Sequence, residues 1–155
     1  MTDTIEARLA AAGVTLPAAA APAANYVPFV IYGNVLQTSG QIPLENGKVA
    51  VTGKLGAGVS LDDGLRAAKI CAINVLAQAS AALGGDLTRI VRLVKLTVFV
   101  ASDASFTEQH KVANGASDFM VDILGEAGRH ARSAVGVPAL PLDAAVEVEA
   151  FFEIK

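Results

Sequence analysis

Near the C-terminus, apolar and charged positions alternate. Val146, Val148, Ala150, Phe152 and Ile154 fall on one side, and Glu147, Glu149, Phe151 and Glu153 on the other. A period of two is that of a strand with one buried face. Residues 89–100 are β-branched or apolar at most positions, with Arg92 and Lys95 as interior charges, which predicts a strand covered on both faces. Upstream, Phe29-Val30-Ile31-Tyr32 and Val35-Leu36-Gln37-Thr38 are β-rich runs separated by Gly33-Asn34. That spacing predicts a hairpin whose leading glycine supplies the positive φ of a type II′ turn. Asn46-Gly47 marks a second turn, with a third strand expected over 48–51.

Between these runs the period lengthens to that of a helix. Leu61, Leu65, Ala68, Ala72, Val75, Ala79 and Leu83 share one stripe, while Asp62, Arg66, Lys69 and Gln78 are expected outside. Ser60 and Asp63 have capping-box spacing at its start, and Gly84-Gly85 closes it. Phe106, Ala113, Ala116, Met120 and Ile123 predict a second helix, opened by Ser105 with Glu108 and ended by Gly125. Gly115 inside it costs about 1 kcal/mol relative to Ala, a cost suited to close packing. A short helix over 4–12 carries Ile5 and Leu9 on one face, stops at Gly13 and leads into an Ala/Pro linker. Residues 133–137 form a short strand, and Pro138 and Pro141 bracket the turn after it. The order is strands, helix, strand, helix, two strands: an α+β layer with two helices on one face of a single sheet.

A chain of 155 residues suits one domain, but 53% apolar and 17% charged residues leave more apolar surface than a lone domain hides. A subunit interface is the expected cover. The net charge of -3 and the absence of any basic run speak against a nucleic-acid surface. Cys71, the single cysteine, sits in an apolar helical stretch and reads as a buried, inert thiol. One cysteine and two histidines give no metal-ligand spacing. Asp3, Glu6 and Arg8 interrupt the N-terminal turns, and the Ala-rich run over 18–24 is broken by Pro22 and too short to span a bilayer. A soluble cytoplasmic protein is expected.

No P-loop, dinucleotide fingerprint or nucleophile elbow is present, and the glycines at 53, 56 and 58 read as an ordinary loop before a helix. Three residues remain as candidates. Arg132 offers a planar fork for a carboxylate, or else a surface ion pair. Glu147, a carboxylate inside an apolar strand, suits a general base, or else belongs to a solvated face with Glu149 and Glu153. His130 is either a titrating group or a solvated loop residue.

Ser39-Gly40-Gln41-Ile42-Pro43 after the hairpin resembles the first signature of the Rid family of imine and enamine deaminases, also called YjgF/L-PSP proteins. Arg132-Ser133, the Leu140-Pro141 turn and Val146-Glu147-Val148-Glu149 resemble the second. The resemblance runs from Asn25 to the C-terminus. It divides the chain into an N-terminal helix and linker (1–24) and a single Rid-like domain (25–155). It implies a chorismate-mutase-like sheet that trimerises into a barrel with ligand sites between subunits.

The resemblance also implies roles. Arg132 would hold the substrate carboxylate, Glu147 would position or activate water, and Tyr26 would line the cleft. Gly40, Ala134 and Ser39 would complete the cradle. The family's asparagine early in the second helix is replaced by His110, with Asn114 one turn later. The implied activity is cofactor-free hydrolysis of 2-imino or 2-enamino acids to 2-keto acids and ammonia. The alternative is a module that binds small carboxylates without turnover; ribonuclease and chorismate mutase activity rank below both.

Overall fold

The computed structural model describes residues 3–155. Helix α1 (Ile5–Ala11) is capped by the Thr4 hydroxyl, which accepts from Ala7 N, and Gly13 ends it with φ +69°. The hairpin forms as its sequence requires. β1 (Phe29–Tyr32) pairs antiparallel with β2 (Val35–Thr38) across Gly33-Asn34, and Gly33 has φ +57°. The second turn also forms, with Asn46 and Gly47 both at positive φ. It joins only two-residue ladders, β3 (Leu44–Glu45) and β4 (Lys48–Val49), in a sheet of their own. The expected strand over 48–51 is therefore shorter and lies outside the main sheet. The glycine-rich loop makes another small ladder, β5 (Lys54–Leu55) with β6 (Gly58–Val59).

Ser60 accepts from Asp63 N and opens α2 (Leu61–Ala82), and the glycines at 84 and 85 turn the chain away with φ +64° and +87°. Strand β7 (Ile90–Ala101) follows, then α3 (Gln109–Leu124), β8 (Ala131–Val137) and β9 (Val146–Ile154). The Ser105–Glu108 box does not form. Ser105 instead donates to Asp103, and α3 starts later, at a Glu108 cap with no side-chain hydrogen bond. The preceding Asx-type turn takes the serine that the helix would have used.

The main sheet has the order β1-β2-β9-β7-β8, with only the β7–β8 pair parallel because α3 crosses between them. Both long helices cover one face. Leu36, Leu96, Val98, Val148, Phe152 and Met120 are fully buried there. The helices approach closely at Gly115, where a Cβ would stand 2.9 Å from the Leu65 carbonyl carbon, so the glycine is the condition for the crossing. Leu9 of α1 joins the same core.

Two expectations change here. Gln78 is 1% exposed, not solvated, because the linker after α1 folds back over α2 and its Ala20 carbonyl accepts from Gln78 Nε2 at 2.8 Å. β7 is covered on one face only. Val30, Tyr32 and Val135 on the other face are 49, 50 and 43% exposed, so this open sheet face carries apolar surface that the single chain leaves to water. No helix among the described residues is long and apolar enough to cross a membrane.

Candidate functional site

Glu147 stands on the open face of β9, where its neighbours in the strand, Val146 and Val148, turn into the core. It borders a cleft of about 360 Å³ between the linker, the loop after β2 and the turn before β9. Burial pushes the Glu147 carboxyl above its ordinary value, and the neighbouring Glu149 charge adds to the shift. Its carboxylate lies directly over Gly40, where a Cβ would overlap it. Gln41 exchanges two backbone hydrogen bonds with Val148, at 2.8 and 3.0 Å, and so pins the Ser-Gly-Gln loop beside Glu147.

The other wall contains Tyr26. Ser39 donates its hydroxyl to Val27 O at 2.6 Å and its backbone N–H to Pro28 O at 2.8 Å, tying the tyrosine's segment to the same loop. The Tyr26 hydroxyl accepts from Ala23 N at 3.3 Å, which leaves its own hydrogen free to donate. Gln78 and Gln41 meet behind the loop (Nε2 to Oε1, 3.4 Å), and Gln41 Nε2 donates to the Ser39 and Gly40 carbonyls. Pattern reading missed Gln78. The signal was present, as an amide flanked by Ala77 and Ala79 on a helix whose second half carries no charged residue.

Arg132 belongs to a different cluster. On β8 it pairs with Leu96, which faces the helices, so its side chain runs towards α3. Nη1 donates to Asn114 Oδ1 (2.9 Å) and Ser117 Oγ (3.1 Å), and Nη2 to His110 O (3.1 Å). Among the described residues no carboxylate pairs with it, which removes the surface ion-pair reading. Of its five N–H groups, Nε–H and one on Nη2 have no partner among the described residues. His130 is not a solvated loop residue. Its Nδ1–H donates to Gly128 O at 2.6 Å, and its Nε2 is hydrogen-bonded to the Ser117 hydroxyl at 2.9 Å. A chain of hydrogen bonds thus fixes the guanidinium: carbonyl, imidazole, hydroxyl, arginine. Asn114, one turn beyond the position where the family pattern places its asparagine, does contact Arg132. Ala134 lies two residues along on the same edge strand.

The two clusters do not meet within one chain. Glu147 pairs across β7 with Phe99, and Phe99 with Val135, all on the open face, whereas Arg132 is on the helix face. Two strand spacings and three residues separate them, on the order of 14 Å between backbones, with the side chains diverging. Tyr26, Ser39, Gly40 and Glu147 form one half, and Arg132 with Ala134 the other. A roomier groove of about 450 Å³ lies between the linker and α2, but none of these residues reaches it. The Cys71 thiol is fully buried, donates to Val146 O, and is pushed well up by burial, so it takes no part. No cluster of three or more His, Cys, Asp or Glu among the described residues could hold a metal ion.

Known proteins share this fold. Protein TCP17 of Trypanosoma cruzi is 53% identical over 152 residues, covering 97% of this chain and 94% of that protein. The crystal structure of Atu1372 from Agrobacterium tumefaciens superposes with a TM-score of 0.93 at 55% identity, covering 99% of this chain and 94% of that one. Escherichia coli TdcF with bound serine gives a TM-score of 0.64 at 27% identity, over 88% and 94% of the two chains. The pattern of the family described as YjgF/chorismate mutase-like, putative endoribonuclease, matches residues 6–154 and so takes in most of α1 and the linker. The chain belongs to the YjgF/chorismate-mutase-like family.

Proposed function

We propose that this protein is a cytoplasmic homotrimer that hydrolyses 2-imino or 2-enamino acids to 2-keto acids and ammonia, without a cofactor. The observation that carries this reading is the pair of half-sites. One chain presents a half-buried carboxylate in a cleft and, on the opposite sheet face, an arginine fork with two unused donors. β8 is an edge strand, so a neighbouring subunit that set this edge beside the cleft of the first would bring one half from each into a single site. The exposed valines and Tyr32 on the open sheet face support such packing. The net charge of -3 supports a small-molecule substrate over a nucleic acid.

In that site the substrate carboxylate docks on Arg132 Nε–H and Nη2–H, with the Gly40 N–H and the backbone at Ala134 beside it, and the imine carbon is fixed near Glu147. Glu147 takes a proton from water as the water oxygen bonds to that carbon. The C=N π pair moves to nitrogen, which is protonated. The tetrahedral carbon then forms C=O as the C–N bond breaks, the hydroxyl proton passes through Glu147 to the leaving nitrogen, and ammonia departs. Tyr26 can donate its hydroxyl hydrogen to the developing oxygen or nitrogen. Serine bound to TdcF supports a small amino-acid-like carboxylate as ligand on this fold. Because serine is no imine, the same complex favours a second reading, binding without turnover.

An imine assay separates the two. Glu147→Gln keeps the side-chain size and removes the base, so hydrolysis should fall by about two orders of magnitude or more, while keto-acid binding changes little. A parent protein that binds 2-ketobutyrate yet leaves imine hydrolysis at its spontaneous rate would establish the binding module instead.

A further inference from the structure

Two features of the cleft have no role in the chemistry at the imine carbon. The first is the linker, whose Ala20, Pro22 and Ala24 form one wall. It is held there by Gln78, an amide buried to 1% exposure that reaches through the molecule to the Ala20 carbonyl. The same amide touches Gln41, so the wall and the Ser-Gly-Gln loop are set by one buried residue. The second is Leu142. It adopts φ 58° and ψ 25°, the left-handed region that a leucine avoids, and its side chain is 67% exposed at the cleft. A strained backbone carrying an exposed apolar side chain has two unfavourable features at one position, and that side chain lines the same cleft as Glu147.

With Ile42 and Leu44 the lining is apolar throughout this side, and Glu147 is the single charged group among the described residues that line it. We propose, on the reading that this cleft takes a 2-imino acid, that Gln78 and Leu142 are its specificity-determining residues: the tethered linker and the leucine enclose an apolar substrate side chain and reject an acidic one. The physical ground is asymmetric. An aliphatic side chain gains by leaving water against alanine, proline and leucine. A second carboxylate finds no cation on this half of the site, loses its hydration and stands near the charge of Glu147.

The test compares imines generated in situ by amino-acid oxidation of norleucine and of glutamate, alongside calorimetric binding of 2-ketohexanoate and 2-ketoglutarate. The parent should favour the norleucine-derived imine by about 100-fold or more in kcat/KM. Gln78→Leu should cut that ratio by about tenfold, because the wall loses its tether. Gln78 is in the core, so Leu142→Lys supplies a variant at an exposed position that leaves folding alone. It should raise use of the glutamate-derived imine by about tenfold by giving the second carboxylate a partner. A parent ratio near one, or a ratio unmoved by both substitutions, overturns the proposal. Absence of all turnover with a retained preference for 2-ketohexanoate overturns the hydrolysis reading and upholds the selectivity. Failure to bind either keto acid overturns the selectivity itself.

Discussion

The carboxylate of Glu147 rests on the α-carbon of Gly40: a Cβ at position 40 would stand 2.7 Å from Glu147 Cδ and nearer still to Oε1. The backbone there is not in the left-handed region, so conformation alone would allow alanine. What a methyl group would displace is the end of a flexible side chain, which can swing away at small cost. Gly40→Ala should therefore leave the thermal midpoint within a few degrees of the parent and reduce imine turnover by about tenfold or more, because the base has moved. Loss of fold in parallel with activity would show that the glycine serves packing and not the placement of Glu147.

Arg132 is held by three hydrogen bonds before any ligand arrives. Arg132→Ala should cost roughly 2 to 4 kcal/mol of keto-acid affinity, the range for a charge-assisted bidentate contact. The oligomer should persist, since the side chain ends among polar groups at the edge of α3. Arg132→Lys keeps the charge and loses the fork, and should recover only part of that affinity. Ser117→Ala removes the link between His130 and the guanidinium and should weaken keto-acid binding less than Arg132→Ala does. Calorimetry reads all three. Unchanged affinity in Arg132→Ala would assign the arginine to structure.

Burial first, and Glu149 second, raise the Glu147 carboxyl above the ordinary glutamate value of about 4.3. The base works ionised, so kcat/KM should climb with pH through the Glu147 pKa, and its acid limb should lie above the usual carboxylate range. Glu149→Gln removes one of the two causes. The limb should then move to lower pH, while turnover on the plateau above the limb, where the base is ionised in either protein, stays nearly constant. A limb that shifts upward, or a plateau rate that falls as in Glu147→Gln, would contradict the assignment of the base.

The regular parts of this fold were legible because a single period decided each of them. The alternation in β9 passes unchanged from pattern to burial, and the stripe of α2 holds from Ala68 to Leu83, although Leu61 and Leu65 at its start are only half-buried. The failures came where two local signals competed or where tertiary cover decided. Ser105 matched a helix cap, but Asp103 two residues earlier took its hydroxyl. Gln78 looked like a solvent residue until the linker folded over it, an event no local window contains. Arg132 and Glu147 were both identified as candidates, yet their position on opposite faces follows from the register of β8 on β7 and of β7 on β9, which pattern does not encode.

That opposition leads to a test of assembly. If one chain holds the base and its neighbour the fork, two inactive variants complement each other. Arg132→Ala retains Glu147 in every subunit, and Glu147→Gln retains Arg132. Each homotrimer lacks one half of every site. When the two are unfolded together, mixed in equal amounts and refolded, about a quarter of the sites should receive an intact fork from one subunit and an intact base from the other. Turnover should then return to roughly that fraction of the parent rate, and light scattering should give three times the 15.8 kDa chain mass. Mixing without subunit exchange supplies the control and should restore nothing. Exchange that yields mixed trimers with no activity would mean that a single chain must carry both residues of a site, in conflict with their places on the sheet. A protein that scatters as a 15.8 kDa monomer and still hydrolyses imines would remove the shared site altogether.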